Sequence, residues 1–277
     1  MGYLIFHGVS TESLTGVYVG RMPDHKKAGK RFSEYYVKGR DGALHVNEGF
    51  SNFDLTTTLV LVNAGAGARY AVNAWADGTS KLVTSDDPTR AYMATVEEEV
   101  VWQRVKAQSA VSAFSTGKSY IVGDIVVYNG DVYEFTAAHS GAWSTGDVTL
   151  IPVPNGFFDT AEITFNCQPC MVERVDSIIT LTQTSTIINP GSAVAFPKIQ
   201  VNGSGNADFT FNGRHIQIPS MTANVPVFID CDSGYVWTES GATSITGEIP
   251  DLSIGTNTIT FGSNVTSLVV TPHWRWV

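Results

Sequence analysis

The stretch STIINPGSAVAFPKIQVNGSGNADFTFNGRHIQI, Ser185 to Ile218, decides the fold class of this chain. Apolar and polar residues alternate along it, and Gly, Pro and Asn residues interrupt the alternation at short intervals. This pattern is typical of antiparallel sheet. The segments Val225–Trp237 and Asn257–Val277 repeat it. We therefore predict that residues 185–277 form one β-sandwich.

The first hundred residues are also predicted to be mostly β. The run VEEEVVW, Val96 to Trp102, is open to a helical interpretation because of its glutamates, but its valines and tryptophan favour a strand with a charged outer face. The three glutamates are adjacent in sequence and do not face each other across a cleft. The run therefore offers no pair of carboxylates for glycoside hydrolysis.

Charge limits the classes of partner. The net charge is −9, from 17 Lys and Arg against 26 Asp and Glu, and sequence-specific or extended nucleic-acid binding requires a basic surface. The one dense cationic cluster, HKKAGKR from His25 to Arg31, is interpreted as a solvated loop. The amino-terminal residues lack the features of a secretory signal, and no apolar run reaches the length that spans a bilayer. We expect synthesis in a cytoplasm and no membrane insertion.

Motifs for catalysis or metal binding give no candidates. Cys167 and Cys170 form a CQPC motif, but Cys231 stands apart and no second ligand pair accompanies them. The alternating residues around the motif predict a strand with buried thiols and argue against a redox helix. Because Gly-rich phosphate loops, zinc-protease motifs and nucleophile elbows are also missing from the sequence, we predict no catalytic residues, no metal and no cofactor.

Three motifs resemble the amino-terminal belt domain of the distal tail (Dit) proteins of long-tailed phages, the siphoviruses. They are YYVKGRDGAL (Tyr35–Leu44), VTSDDPTRAYMATV (Val83–Val96) and AEITFNCQPC (Ala161–Cys170). Two later motifs, NPGSAVAFPKIQVNGSG (Asn189–Gly205) and IPDLSIGTNTITF (Ile249–Phe261), are similar to the galectin-like sandwich of the same family. The resemblance implies a structural, non-enzymatic protein.

The resemblance leaves residues 111–155 unexplained, because the flanking strands of a belt domain should be neighbours. Within this gap, the segment Phe114–Ile151 is similar to small carbohydrate-binding modules of the chitin- and cellulose-binding type. Phe114 stands where that family often has a first tryptophan, and Ile151 stands near the position of a closing one. The residues that carry the likeness are Tyr120, Gly123, Asp124, Val126, Tyr128, Gly130, Tyr133, His139 and Trp143.

Such modules bind sugars by stacking aromatic rings on the apolar faces of pyranoses. Trp143, in a polar loop, is predicted to be the main platform, with Tyr120 and Tyr133 as helpers and Phe114 beside them. A small domain also needs large side chains for its core. For Tyr128 and Tyr133, a core role and a sugar contact are equally open.

The sequence thus predicts a mainly β protein: a discontinuous belt-type β-sandwich (1–110 and 156–184), an inserted carbohydrate-binding module (111–155) and a galectin-like β-sandwich (185–277). The resemblance implies a homo-hexameric ring at the distal end of the phage tail, joining the tail tube protein to tail-tip or receptor-binding proteins, with a host-surface polysaccharide as ligand of the module. The alternatives come from two other classes of protein. One is an accessory carbohydrate-binding protein of a polysaccharide-degrading system, and the other is an enzyme acting on cell-wall glycans.

Overall fold

The structure is a computed structural model, and it describes residues 2–62, 66–152 and 157–277. It is mainly β, as predicted, and it divides into two compact units, Met1–Pro169 and Cys170–Val277.

The first unit contains most of the short strands and all of the helices described. Its strands are β1 (Leu4–Phe6), β2 (Val9–Ser10), β3 (Val17–Arg21), β4 (Lys30–Tyr36), β5 (Ala43–Phe50), β6 (Phe53–Leu61), β7 (Gly78–Thr84), β8 (Asp87–Val96), β9 (Trp102–Lys106), β10 (Ser119–Tyr120), β11 (Ile125–Tyr128), β12 (Asp131–Phe135), β13 (His139–Ser140), β14 (Val148–Leu150) and β15 (Phe157–Glu173), which ends in the second unit. The helices are α1 (Ala66–Trp75) and α2 (Ala107–Ala110), with 3-10 turns at Thr11–Ser13 and Thr145–Asp147.

One large sheet organises the first unit, in the order β2-β1-β7-β8-β15-β6-β3, with β9 also paired to β15. The long strand β15 pairs antiparallel with β6, from Asp159 opposite Leu61 to Cys167 opposite Phe53. Behind this pair, the rings of Phe6 and Phe165 pack edge to face with centroids 5.2 Å apart. This geometry is favourable for buried aromatic pairs.

Helix α1 was not predicted. Its sequence, AGARYAVNAW, contains four alanines, the residue with the highest helix propensity. Val72 and Trp75, three residues apart and therefore on one face, are buried. The indole Nε1 of Trp75 donates a hydrogen bond to the carbonyl oxygen of Val9 at 2.9 Å. The first hundred residues are mostly β, as predicted, and α1 is a helix within them that local alanine content and a two-residue apolar face favour.

The turn of the motif VTSDDPTRAYMATV lies before its proline. Ser85 and Asp86 form it, Thr84 pairs with Asp87, and Pro88 already belongs to β8.

The strand predicted at Val96–Trp102 was wrong in its extent. Glu97–Val101 lie outside any strand, and β9 begins only at Trp102. Adjacent charged residues lack the alternation that would give this stretch one buried face.

Strands β4 and β5 form a separate two-stranded hairpin, closed by the Gly-Arg-Asp-Gly turn of the motif YYVKGRDGAL. Gly39 and Gly42 have φ values of 84° and 77°, which glycine adopts without strain. The hairpin exposes an unusual number of large apolar side chains, namely Phe32, Tyr35, Tyr36, Val37, Leu44 and Val46. Isolated hairpins rarely remain uncovered, since two strands cannot bury their own faces.

The second unit is a sandwich of two antiparallel sheets. Its strands are β16 (Ile179–Leu181), β17 (Ser185–Asn189), β18 (Lys198–Gly203), β19 (Gly205–Phe211), β20 (Arg214–Met221), β21 (Val227–Asp230), β22 (Tyr235–Thr238), β23 (Gly241–Ala242), β24 (Thr246–Gly247), β25 (Gly255–Phe261), β26 (Val265–Thr271) and β27 (Arg275–Trp276). One sheet has the order β16-β26-β18-β21-β22-β23 and the other β17-β25-β19-β20-β24. The core between them includes Ile199, Val201, Phe209, Phe211, Ile216, Ile229, Leu268 and Val270.

Candidate functional site: the inserted aromatic module

The segment predicted as an insertion is flanked by paired strands. Phe157 on β15 lies opposite Lys106 on β9, and Ala161 lies opposite Trp102, so the chain leaves the large sheet and returns to a neighbouring position. This confirms the expectation that the two flanking strands are neighbours. An excursion between paired strands is the geometry in which insertions are best tolerated.

Local sequence explains the fold of the segment. Strands β11 and β12 pair from Ile125 opposite Glu134 to Tyr128 opposite Asp131. The two residues between them, Asn129 and Gly130, have φ values of 52° and 92°. Asn-Gly with two positive φ angles is the preferred two-residue hairpin turn. Strand β14 then adds to the free edge of β12, with Leu150 opposite Tyr133.

The two faces of this three-stranded sheet have different surroundings. On one face, the apolar side chains of the segment share a buried cluster with residues of the large sheet. From the segment, the cluster contains Val111, Ile125, Val132 and Ile151. From the large sheet, it contains Val60 of β6, Val62 directly after β6, and Phe158 of β15. The segment therefore packs on the rest of the first unit, and its own inner face is part of a shared core.

The opposite face carries the aromatic residues. Val126, Tyr128, Tyr133 and Phe135 lie on it because alternate residues of a strand point to the same side. Phe135 is buried, and the ring of Tyr120 stacks on it with centroids 4.6 Å apart and an interplanar angle of 9°. The segment therefore has its own small aromatic core on this side.

Trp143 lies at the outer part of this cluster and is partly exposed. Its indole stacks on the ring of Tyr128, with centroids 4.0 Å apart and an interplanar angle of 13°. Tyr133 and Phe114 contact it edge to face, at centroid distances of 4.9 and 5.0 Å. These neighbours fix the orientation of the indole, because each contact restricts a different edge or face.

The four sequence-predicted residues thus lie together, but in different environments. Phe114, Tyr133 and Trp143 are partly exposed. Tyr120 is only 6% exposed, and its hydroxyl accepts a hydrogen bond from the Ser115 backbone N–H at 2.8 Å. In this structure Tyr120 therefore supports the cluster from within, and the sugar contact predicted for it stays a prediction.

Tyr128 belongs to the outer cluster although it was not among the predicted site residues. It is partly exposed and covers one face of Trp143. A signal for it existed in the sequence, since Tyr128 precedes the Asn-Gly turn and shares the face of Val126 by strand alternation. Alternation alone could not distinguish the outer end of this face from its buried centre.

A histidine–aspartate pair lies at the edge of the aromatic cluster, where the His139 ring contacts Phe114. His139 Nδ1 lies 2.9 Å from Asp147 Oδ2, and its ring stacks on Phe135 with centroids 5.4 Å apart. The hydrogen bond from His139, helped by one from Ser144, holds the pKa of Asp147 below its ordinary value. In the part of the chain that the structure describes, His139 Nε2 is the one buried side-chain polar atom without a hydrogen-bond partner.

The cysteines are all buried. Burial raises the pKa of Cys167 to about 12, with the Asp54 carboxylate adding to the effect. Burial also raises the pKa of Cys231 to about 12. At neutral pH both are therefore thiols, which are poor nucleophiles and poor metal ligands. Across residues 2–62, 66–152 and 157–277, no group of three His, Cys, Asp or Glu side chains is arranged to hold a metal ion.

The helices that the structure describes include none long and apolar enough to cross a bilayer.

A family comparison supports the nature of the inserted segment. Residues 113–150 match the model of carbohydrate-binding module family 5/12. The match spans β10 to β14 and includes the cluster around Trp143. No sequence among curated proteins matches the chain significantly.

Solved structures extend the likeness to the whole chain. The Dit protein of phage SPP1, described as a paradigm of the hub adsorption apparatus in phages that infect Gram-positive bacteria, superposes with a TM-score of 0.64. The two chains are 13% identical, and the alignment covers 100% of each. Components of the activated baseplate of phage P2 align over 98% and 97% of this chain, at 7% and 6% identity, but their TM-scores of 0.45 and 0.39 are too low to support an argument. By fold, this chain is therefore similar to a phage distal tail protein, and it carries a segment similar to a carbohydrate-binding module between two paired strands of its large sheet.

Proposed function

We propose that this chain is a structural protein of a phage tail tip that forms a homo-hexameric ring. The ring joins the tail tube to the adsorption apparatus, and the inserted module binds a polysaccharide of the host surface. The single observation that carries the proposal is the fold, which matches that of a phage hub protein over the full length of both chains. The divisions 1–110 with 156–184, 111–155 and 185–277 are the domains of this proposal, with the exception that β16 (Ile179–Leu181) pairs with β26 of the sandwich.

The hairpin formed by β4 and β5 supports self-association. Tyr35 lies opposite Leu44 and Ser33 lies opposite Val46, so the exposed rings and aliphatic groups of Tyr35, Leu44 and Val46 share one side. An exposed apolar strip on a separate two-stranded hairpin is costly in water and marks a protein contact. In the ring, we assign this contact to the next copy of the chain.

Mass measurement tests the ring. Native mass spectrometry of the purified protein should give a species of six copies of the 29.9 kDa chain. Replacing Tyr35 and Leu44 together by Ser should shift this species towards smaller assemblies, whereas Tyr70→Ser, at another exposed tyrosine, should not. A monomer at every concentration that nevertheless binds polysaccharide would instead favour an accessory carbohydrate-binding protein.

The outer cluster of the module supports sugar binding. Trp143 and Tyr128 form a partly exposed stacked pair, with Tyr133 and Phe114 against its edges. The apolar face of a pyranose gains contact with such rings, while polar groups of the loop bond its hydroxyls. One shallow site binds weakly, since ordering both partners offsets much of the gain. Six copies on a ring raise the overall affinity by about 10² to 10⁴ through effective concentration.

Retention on cells tests the module. Fluorescently labelled protein should remain on host cells or on their purified wall polysaccharide, and Trp143→Ala should lose most of this retention with the oligomer mass unchanged. Val122→Ala, at an exposed position of the same segment outside the cluster, is the matched control. Equal retention of Trp143→Ala and the unmodified protein would remove Trp143 as the platform.

A further inference from the structure

The second unit carries an aromatic and polar surface that the proposed function does not use. On the outer face of one sheet, Phe228 lies opposite Trp237, and their rings stack with centroids 5.4 Å apart. The ring of Tyr235 also stacks on that of Trp237, with centroids 5.4 Å apart, and Tyr235 is 52% exposed. The ammonium group of Lys198 lies 5.1 Å from the Trp237 ring centroid. These three rings form an ordered ladder at the surface, which we call the aromatic ladder.

A row of amides leads from the aromatic ladder to a cleft. Gln200 on β18 lies opposite Phe228, and its Nε2 donates to Asn202 Oδ1 at 3.1 Å. Asn202 Nδ2 in turn donates to the Ser267 hydroxyl at 2.9 Å. Both amides are therefore held in one orientation before any ligand arrives, and a pre-ordered polar group loses less entropy on binding than a mobile one.

Asn202 also lines the cleft, whose volume is about 430 Å³. The other lining residues are Gly203, Ser204, Ala223, Asn224, Val225 and Thr266. They supply amide and hydroxyl groups and no formal charge. Within the described ranges, the side chains of Ser204 and Asn224 form no hydrogen bond, so their donors and acceptors are available.

The geometry points to a second carbohydrate site in this chain, extending from the aromatic ladder along Gln200 and Asn202 into the cleft, for a neutral oligosaccharide. Strand rise and strand spacing place Trp237 and Asn202 roughly 12 Å apart, the length of a short oligosaccharide rather than of one ring. The rings suit the apolar faces of pyranoses, and the uncharged amides and hydroxyls suit their hydroxyl groups. The lining of the cleft carries no formal charge, and the ammonium of Lys198 lies at the other end of the site, over the Trp237 ring. The cleft therefore favours an uncharged sugar, because an acidic one would be desolvated there without a partner.

The site is tested in the full-length protein with the module's platform removed by Trp143→Ala. Saturation-transfer NMR is recorded with neutral trisaccharides of glucose, galactose, mannose and N-acetylglucosamine, and with a sialylated trisaccharide for comparison. At least one neutral trisaccharide should give a signal. Tyr235→Ala should weaken its affinity by about tenfold or more, the loss expected when one stacking ring is removed. Tyr70→Ala, at an exposed tyrosine of the first unit, should leave the affinity unchanged.

A second variant tests the polar end without disturbing the backbone. Asn224 has a φ of 63°, so Asn224→Gly deletes the amide at a position where glycine is unstrained. Asn129→Gly makes the same change at φ 52° in the module and serves as its control. Asn224→Gly should weaken binding of the same trisaccharide, and Asn129→Gly should not.

The inference is overturned by three results: no signal from any neutral trisaccharide, a signal only from the sialylated one, or an affinity unchanged by both Tyr235→Ala and Asn224→Gly in variants that unfold at the normal temperature. None of these outcomes affects the binding measured through Trp143 in the unmodified protein. Failure of this site is therefore distinguishable from failure of the module.

Discussion

Single buried polar residues hold the sandwich of the second unit in register. Asn257 is fully buried, and its Nδ2 donates to the carbonyl oxygens of Ser253 and Gly255 at 2.8 and 2.9 Å. Its Oδ1 accepts from Asn212 Nδ2 at 2.7 Å, and Asn212 Oδ1 accepts from the Thr258 N–H. This amide therefore fixes two connecting loops to strand β25 at once.

Asn257→Ala should lower the free energy of unfolding by about 3 kcal/mol, because it leaves buried carbonyl groups and the Asn212 amide without partners. Denaturant unfolding measures the change. Asn47→Ala, at an exposed asparagine of the β4–β5 hairpin, is the control and should change stability far less. A loss below about 0.5 kcal/mol for Asn257→Ala would mean that the network relaxes around the gap.

The pair formed by His139 and Asp147 makes the stability of the module depend on pH under acidic conditions. The folded state holds the pKa of Asp147 below its ordinary value, mainly through the His139 hydrogen bond. The stabilisation is therefore complete above the unfolded-state pKa of about 3.9 and is lost as the pH falls through the lower folded pKa. Between pH 7 and 5, this pair should add no pH dependence through the carboxyl group.

The measurement is thermal unfolding between pH 7 and 3. Asp147→Asn should lower the midpoint at neutral pH and should reduce the difference between pH 5 and pH 3, since the titrating carboxyl is gone. Asp131→Asn, at the exposed end of the neighbouring hairpin, should keep the profile of the unmodified protein. An unchanged profile in Asp147→Asn would show that other carboxyl groups determine the loss of stability under acidic conditions.

At the scale of elements, the inserted module is an addition that shares a core. Val60 lies on the same side of β6 as Thr56 and Thr58, because alternate residues point the same way. The two threonines are partly exposed, whereas Val60 is buried under the module. The outer side of β6 thus changes from polar to apolar where the module covers it.

Deleting residues 111–155 and joining the ends through a short Gly-Ser linker should leave a folded chain, because the flanking strands β9 and β15 are already paired. Exposure of Val60, Val62 and Phe158 should lower stability by about 2–4 kcal/mol and increase dye binding to apolar surface. Calorimetry and fluorescence of a hydrophobic dye measure these effects.

Val60→Thr tests whether exposure of the Val60 side chain causes the gain in dye binding and the loss of stability. In the deleted protein it should reduce dye binding, since it continues the threonine row, whereas in the intact protein it should be destabilising. Complete loss of folding on deletion, with or without Val60→Thr, would mean that the segment belongs to the core of the first unit and is not an insertion.

At the scale of the whole molecule, the net charge of −9 constrains the proposed ring. A channel through which a genome passes should be lined by acidic or neutral side chains, since basic ones would bind phosphates by counterion release. The basic residues Lys26, Lys27, Lys30 and Arg31 should therefore lie outside the channel or at a contact between copies. Lys26 and Arg31 already bond the carbonyl oxygens of Asp54 and Glu48, at 2.7 and 3.1 Å.

Electron cryomicroscopy of the assembled ring should show this distribution, and the ring should not retain double-stranded DNA at physiological salt in a gel-shift experiment. Replacing the four basic residues by Gln should leave DNA retention unchanged. A channel wall formed by these residues, or DNA retention that they cause, would contradict the prediction.

The sequence by itself determined the features that depend on neighbours along the chain. Period-two alternation predicted the mainly β class, and the Gly-Arg-Asp-Gly and Asn-Gly turns lie where positive φ angles require such residues. The aromatic motif marked the inserted segment, and the flanking strands pair as expected. Such features can be read from the sequence because turns and alternation are set by local sterics and by side-chain direction within a few residues.

Only the tertiary structure decided which face of each strand is covered, because alternation separates two faces without indicating which one meets another layer. Tyr120 became a buried support and Tyr128 an outer partner of Trp143 through contacts with residues distant along the chain. The aromatic ladder of the second unit likewise exists only because strand pairing places Phe228 opposite Trp237. Such juxtapositions depend on strand order and register, which the long-range packing of apolar surfaces fixes.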